Sequence, residues 1–193
     1  MIRIRINGKE VEVVEGSTIL QAAKRAGVHI PTLCFLEKRE PIGACRVCLV
    51  EVEGARTLLS SCSTPCTDGM VVHVNSARAR AARKQVVELL LSEHDGNCQL
   101  CERNEDCELR KLASDMGIRT VAYEGARTIP KRDESTPGLV RDNSKCIKCR
   151  RCVTVCNQVQ GIGALFPQGR GFATVIGPAF ASDLDGVTCV QCG

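Results

Sequence analysis

Fourteen cysteines in a chain of 193 residues are the feature that most restricts how this sequence can fold. The N-terminal stretch MIRIRINGKE alternates charged residues with isoleucine, whereas a secretory signal needs a continuous apolar run. No stretch reaches the roughly 18 apolar residues of a membrane-spanning helix. We therefore expect a cytoplasmic protein. Because the cytosol keeps thiols reduced, we expect the cysteines to bind metal rather than form disulfides.

Composition favours a globular chain and disfavours nucleic-acid binding. The chain is 44% hydrophobic and 25% charged, but only 3% aromatic with no Trp, so Val, Ile, Leu, Ala and Cys must fill its core. The formal net charge of +4 counts every thiol as neutral. Cysteines that bind metal as thiolates would add negative charge that this count leaves out. The loaded protein is therefore expected to be near neutral.

The N-terminal part of the chain predicts an α+β domain. Residues 2–6 alternate isoleucine with arginine, Asn7-Gly8 suits a two-residue turn, and residues 11–14 form a second apolar run, so a hairpin is expected. Ser17 is the expected N-cap of a helix that ends at Gly27. A sheet domain with one packed helix follows from these elements and from three further strands. Those strands are expected at residues 47–52, 57–61 and 70–74.

A longer helix is expected from Ser76 to about Glu93, because apolar residues recur there at intervals of three and four. Basic residues crowd its N-terminal half. We interpret them as a solvated face, with a docking surface for an acidic partner as the alternative. They are Arg78, Arg80, Arg83 and Lys84. Residues 121–141, rich in Pro, Gly and charges, are interpreted as a linker.

The first cysteine set has the spacing C-x10-C-x2-C-x13-C and comprises Cys34, Cys45, Cys48 and Cys62. A 2Fe-2S centre needs four thiolates on two irons, and a close pair with two distant partners can supply them. The alternative is a zinc site, which usually brings two close pairs together. Cys66 is interpreted as a small core residue, with a role as the fourth ligand as the alternative.

The second set has the spacing H-x3-C-x2-C-x5-C and comprises His94, Cys98, Cys101 and Cys107. A lone histidine at the C-terminal end of a helix usually interacts with the last carbonyls. His94 is followed closely by three cysteines, so we interpret it as a ligand of an iron or zinc centre.

The third set has the spacing C-x2-C-x2-C-x3-C and comprises Cys146, Cys149, Cys152 and Cys156. This is the bacterial ferredoxin pattern, in which the fourth cysteine binds the other cluster of a two-cluster domain. Cys189 and Cys192 begin the second run. Each 4Fe-4S centre then has three ligands, so we expect the sequence to be truncated.

Three segments carry a resemblance to a known family: PTLCFLEKREPIGACRVCLVEVEG, HDGNCQLCERNEDCEL and KCIKCRRCVTVCNQVQGIG. They resemble the N-terminal iron–sulfur region of NAD(P)-linked FeFe-hydrogenase large subunits, the complex I large subunit and NAD(P)-linked formate dehydrogenases. The resemblance implies a β-grasp 2Fe-2S ferredoxin-like domain over residues 1–77 and a helical domain over 78–120 with a 4Fe-4S cluster on one histidine and three cysteines. After the linker, a truncated two-cluster 4Fe-4S ferredoxin-like domain is implied over 142–193.

The segments RGFATVIGPAF and CVQCG most resemble the hydrogenase branch. That branch implies an electron-transfer module without a catalytic site of its own. It would relay single electrons between a flavin- and NAD(P)-binding partner subunit and a hydrogen-activating domain. The alternatives are the equivalent region of a formate dehydrogenase or complex I-like subunit and, remotely, a zinc-binding structural protein. Arg150 stands where the family usually has Gly, and its charge is expected to raise a cluster potential.

Overall fold

The structure is a computed structural model that describes residues 1–123 and 132–193. Its mixed helices and short strands confirm the expected α+β content. The chain divides into two compact units. Unit one comprises residues 1–35, 41–88 and 108–119. Unit two comprises residues 36–40, 89–107 and 120–193.

Unit one contains the predicted sheet and helices. Its strands are β1 (Ile2–Ile6), β2 (Lys9–Val13), β3 (Leu49–Val52), β4 (Leu59–Ser60) and β5 (Val71–His73). Its helices are α1 (Ile19–Arg25), the larger part of α2 (Ala77–Glu93) and α3 (Glu108–Asp115). The three expected later strands therefore exist: β3 begins two residues later than expected, and β4 and β5 are shorter at both ends.

The five strands form one mixed sheet in the order β2-β1-β5-β3-β4. β1 runs antiparallel to β2, with Ile4 opposite Val11, and parallel to β5. Because side chains alternate between the faces of a strand, this register places the apolar residues of β1 and β2 on one face. They are buried with α1 in a common core, which includes Ile4, Ile6, Val11, Val13, Ile19 and Ala23.

Helix α1 begins one residue later than expected. The N-cap is Thr18 and not Ser17, since Thr18 Oγ1 accepts the Gln21 N–H (3.3 Å) while Gln21 Oε1 accepts the Thr18 N–H (2.8 Å). This reciprocal pair satisfies two otherwise unpaired donors. The Ser17 carbonyl instead accepts the Cys66 N–H. Gly27 ends the helix as predicted, at a φ of 69°.

Helix α2 has the expected length, but its buried face includes one of the basic residues that were expected to be solvated. The Ser76 hydroxyl accepts the Ala79 N–H at its start. The buried positions are Ala79, Arg83 and Val87, spaced by four residues, and Ser92 near the C-terminal end, whereas Leu89 is 48% exposed. The solvated-face interpretation of the basic residues is therefore wrong for Arg83.

Helix α3 lies within the stretch 78–120 that the resemblance implies to be helical, and Leu109 and Ala113 form its buried stripe at helical spacing. Unit two contains the strand pairs β6 (Arg132–Asp133) with β7 (Arg141–Asp142) and β8 (Phe166–Gln168) with β9 (Val175–Gly177), and helix α4 (Arg151–Gln158). β6 and the first residue of β7 fall inside the stretch interpreted as a linker. Residues 124–131 of that stretch lie outside the described part of the chain.

Unit two has a small core around Ile176, Leu184 and Ala164. The buried carboxylate of Asp133 ties separate segments together. It accepts hydrogen bonds from the Ser135 hydroxyl (2.6 Å) and from the Leu184 N–H (2.9 Å). Short 3-10 turns occupy Cys98–Leu100, Asn143–Lys145, Gly171–Ala173, Ala179–Ala181 and Leu184–Gly186.

Within the described ranges, no helix has both the length and the apolar character needed to cross a membrane.

The hairpin turn generates the first prediction. Asn7 has a φ of 49°, and its Oδ1 accepts the Val74 N–H at 2.8 Å. Asn7→Ala removes this acceptor. It also puts alanine, which disfavours the left-handed region more than asparagine does, at a positive φ. We expect it to destabilise the sheet by about 1–3 kcal/mol. Asn7→Asp, which keeps an acceptor and tolerates this conformation, should lower the thermal midpoint much less. Equal midpoints for the two variants would contradict this account.

Candidate metal centres

The first cysteine set lies in unit one, around the loops that lead into and out of β3 and β4. All four thiols are buried. They are arranged as two pairs: Cys34 with Cys45, and Cys48 with Cys62. The Cys45 N–H also donates to Cys34 Sγ at 3.5 Å. Each thiol therefore has one hydrogen-bonded sulfur partner, an arrangement that suits a centre with two irons and two thiolates on each.

Hydrogen bonding within each pair makes one sulfur the donor and the other the acceptor. Hydrogen bonding to Cys45, with burial, raises the pKa of Cys34, and the same bond lowers the pKa of Cys45. Likewise the bond to Cys62 lowers the pKa of Cys48, while the pKa of Cys62 is raised. One thiolate per pair is thus stabilised before any metal binds.

The surroundings of these thiols suit sulfur chemistry. The Ser61 hydroxyl is buried and, among the described residues, forms no hydrogen bond with a conventional partner. It lies near Cys48, where it helps to lower the pKa of that thiol. A buried hydroxyl needs an acceptor, and at this position the Cys48 sulfur or a cluster sulfur would be one. Cys66 packs in the same core as Cys48 and Cys62 but differs from them in that burial alone raises its pKa.

The second set lies in unit two, immediately after α2. His94 Nδ1 lies 2.8 Å from the Asp95 carbonyl oxygen. If Nδ1 carries the proton and donates to this carbonyl, Nε2 keeps its lone pair for a metal. Cys98 begins a 3-10 turn, and Cys101 and Cys107 follow, all three half-buried. Proximity among these four side chains is not observed: within residues 1–123 and 132–193, no three Cys, His, Asp or Glu side chains converge as they would on a single metal ion.

Two lysines of the loop that carries Cys146 form ion pairs with the residues on either side of His94. All of these residues lie in unit two. Lys145 Nζ contacts Asp95 Oδ2 at 2.5 Å, and Lys148 Nζ contacts Glu93 Oε2. The Lys145 ammonium holds the pKa of Asp95 below its usual range. These two ion pairs join the neighbours of His94 to the loop that carries Cys146 and form what we call the lysine clamp. Sequence patterns give no sign of it, because the partners are about fifty residues apart.

The third set, together with Cys189 and Cys192, lies around a cavity of about 420 Å³ in unit two. Its lining is mainly apolar, and includes Val140, Ile162 and Leu165. Five of the six predicted ligands line it: Cys146, Cys152, Cys156, Cys189 and Cys192; Cys149 does not. Two sulfurs already accept backbone hydrogen bonds: Cys156 from Ala164 (3.1 Å) and Cys146 from Lys148 (3.4 Å). Such bonds are typical of cluster ligands.

Left-handed residues shape the C-x2-C loops of the first and third sets. Arg46, Lys148, Arg150 and Gln191 have φ values of 57°, 55°, 60° and 51°. A non-glycine residue seldom adopts this conformation, which costs about 1–2 kcal/mol. The conformation turns backbone N–H groups toward the preceding sulfur, as the Lys148 N–H shows at Cys146. The cysteine spacing predicts the ligands, but it does not predict these strained residues.

The structure also identifies a different cation near the third set. Arg150, singled out from the sequence for its charge, is exposed. Arg141 lines the cavity, and its guanidinium lowers the pKa values of Cys146 and Cys152, which burial otherwise raises. Arg141 therefore acts on both thiols, and Lys148 acts on Cys146 as well.

Comparison with known proteins finds two iron–sulfur families along the chain. Residues 1–77 match the family described as a 2Fe-2S iron-sulfur cluster binding domain. Residues 83–122 match the NADH-ubiquinone oxidoreductase-G iron-sulfur binding region. Together with the paired thiols, these matches define an iron–sulfur protein of the electron-transfer class.

Relatives extend the similarity over the whole chain. It is 47% identical to NADP-reducing hydrogenase subunit HndD of Solidesulfovibrio fructosivorans, over 100% of this chain and 34% of that protein. It is 34% identical to a G-type subunit of the NADH-quinone oxidoreductase of Rhizobium meliloti, over 100% of this chain and 22% of that protein. The chain thus spans about a third of the first relative and less of the second.

A solved structure shares the fold. A chain in the crystal structure of an NAD+-reducing [NiFe]-hydrogenase in the H2-reduced state aligns with a TM-score of 0.86 and 31% identity, over 94% of this chain and 76% of that one. The chain belongs to the family of iron–sulfur electron-transfer regions shared by NAD(P)-linked hydrogenases and the G-type subunits of NADH-quinone oxidoreductase.

The lysine clamp generates the second prediction. Lys148→Met removes one ion pair beside His94 while keeping the length of the side chain. Because such a pair contributes up to about 1 kcal/mol, backbone hydrogen exchange in residues 93–97 should accelerate about two- to fivefold. Arg132→Met, which breaks the more exposed pair with Glu134 in the same unit, is the control and should leave that segment unchanged. Unchanged exchange in Lys148→Met would show that the clamp does not hold the His94 segment.

Proposed function

We propose that this chain binds one 2Fe-2S cluster and up to three 4Fe-4S clusters and conducts single electrons among them. The observation that carries the proposal is the arrangement of buried thiols in two pairs within a domain matched by a 2Fe-2S family. Electron transfer needs no nucleophile or general base from the protein. The chain's contribution is to hold each cluster, control its hydrogen bonds and exclude water.

For the 2Fe-2S centre we propose Cys34 and Cys45 on one iron, and Cys48 and Cys62 on the other. The pairing supports this division, because each iron of such a centre takes two protein ligands. Burial of all four sulfurs supports it as well. A β-grasp domain over residues 1–77 is the corresponding fold proposal.

For the second centre we propose a 4Fe-4S cluster on the ligands His94, Cys98, Cys101 and Cys107. The orientation of His94, with Nδ1 near a carbonyl, supports coordination through Nε2. The match of residues 83–122 to an iron–sulfur binding region covers the whole set.

For the ferredoxin-type domain we propose two 4Fe-4S clusters. Cys146, Cys149 and Cys152 serve one, and Cys156, Cys189 and Cys192 serve the other. The cysteine-lined apolar cavity and the N–H to sulfur hydrogen bonds support these ligands. The proposed domain boundaries are 78–120 for the centre that includes His94, 121–141 for the linker and 142–193 for the ferredoxin-type domain.

We further propose that the module belongs to an NAD(P)-linked hydrogenase of the cytoplasm. Flavin- and NAD(P)-binding subunits would exchange electrons with it, and a hydrogen-activating FeFe domain elsewhere in a longer protein would complete the enzyme. The 47% identity to a NADP-reducing hydrogenase subunit supports this branch over the 34% identity to the quinone oxidoreductase relative.

A second candidate is a module serving a hydrogenase with a nickel–iron site. The likeness to a chain of an NAD+-reducing [NiFe]-hydrogenase favours it. Copurification of the intact complex from its source and analysis for nickel would decide between the two, since only the second candidate predicts stoichiometric nickel.

Matched cysteine variants provide the third prediction. Cys62→Ala should abolish the 2Fe-2S signal in electron paramagnetic resonance and remove about two irons per chain. Cys66→Ala, four residues away and also buried, should retain the signal and the full iron and sulfide content. Loss of the signal in Cys66→Ala with its retention in Cys62→Ala would assign Cys66 as the ligand instead. A wild-type chain that folds natively without iron or sulfide would overturn the proposed function.

A further inference from the structure

Arg83 is a buried cation in unit one. The residue is 3% exposed on α2. Its guanidinium donates to the Leu49 carbonyl from Nε (2.8 Å) and Nη2 (2.6 Å), to the Val74 carbonyl (2.7 Å), and to Asn75 Oδ1 (3.3 Å). All of these acceptors are neutral. Across residues 1–123 and 132–193, none of the hydrogen-bond partners of Arg83 is a carboxylate.

An unpaired buried cation is unfavourable. Moving a charge out of water costs several kcal/mol, and buried charges in proteins are ordinarily paired with an opposite charge or a metal centre. Burial lowers the pKa of Arg83, and the one nearby group that raises it is Cys48. Leu49, whose carbonyl receives two of the guanidinium hydrogen bonds, directly follows Cys48. The guanidinium thus lies beside the proposed 2Fe-2S ligands.

The cluster would supply the missing negative charge. An oxidised core of about +2 on four thiolates carries about two negative charges, and one-electron reduction adds one more. A fixed cation in a low-dielectric interior attracts the reduced cluster more strongly than the oxidised one. Arg46, the other arginine in this loop region, is exposed, so solvent screens its charge.

We propose that Arg83 is the counter-charge of the 2Fe-2S cluster and raises its reduction potential, as a positioning residue that acts through the loop of Cys48. The inference rests on the proposed 2Fe-2S ligand set. It also accounts for an arginine at the centre of the buried stripe of α2, where Ala79 and Val87 flank it at four-residue spacing.

The test is a redox titration of the cluster-loaded chain, with the 2Fe-2S signal followed by electron paramagnetic resonance. In Arg83→Met and Arg83→Gln, which are neutral, the equilibrium constant for reduction should fall at least about tenfold, or about 59 mV for a one-electron couple. Arg83→Lys, which keeps the charge, should retain most of the wild-type potential. Lys84→Met is the control, because Lys84 is exposed on the same helix and its loss should leave the potential unchanged.

The outcomes separate this inference from the proposed function. A wild-type chain without a 2Fe-2S signal contradicts the proposed function itself. A wild-type signal with unshifted potentials in both neutral variants overturns only the role of Arg83. If the neutral variants fail to retain the cluster while Arg83→Lys retains it near the wild-type potential, the charge is what the cluster needs, and the inference stands. Loss of the cluster in all three variants assigns Arg83 a packing role and overturns it.

Discussion

The structure depends on loops that turn backbone N–H groups toward sulfur. Lys148 provides such a turn at Cys146, and Arg46, Arg150 and Gln191 adopt the same left-handed conformation in the other C-x2-C loops, at a cost of about 1–2 kcal/mol each. Strained loops persist only when their surroundings compensate. In unit one that compensation is available from the packed sheet. Unit two has a smaller buried apolar core, so binding of its clusters would contribute a larger share of its folding free energy.

Charge is the second constraint, because each proposed cluster carries negative charge into a partly dry interior. Arg83 in unit one is buried, and Arg141 in unit two lies along the cysteine-lined cavity. Both act on thiols through space and neither has the exposure of Arg150. The effect of a cation on a cluster depends on how deeply the cation is buried and on where it lies relative to the cluster. Its separation from a cysteine along the sequence reveals neither.

Features with a local cause are those that the sequence predicts well. The period of two in β1 and the Asn7-Gly8 turn predict the hairpin, and the cysteine spacing predicts candidate ligands for every proposed centre. The N-cap of α1 was misplaced by one residue, because Ser17 and Thr18 are both good caps and only the pairing with Gln21 decides between them. Long-range features were not predicted. The burial of Arg83 and the lysine clamp depend on which segments meet in three dimensions.

The breadth of the comparisons follows from the chemistry of such a module. The two relatives bear the names of a NADP-reducing hydrogenase and a quinone oxidoreductase, yet each aligns with all of this chain. One structural neighbour is a chain of an NAD+-reducing [NiFe]-hydrogenase, whereas the segments RGFATVIGPAF and CVQCG resemble the FeFe branch. A conductor of electrons touches neither hydrogen nor quinone, so selection for those substrates acts elsewhere. Under the proposed function, this chain would set the potential of each cluster through nearby charges such as that of Arg83, and such positions are where modules serving different enzymes are expected to differ.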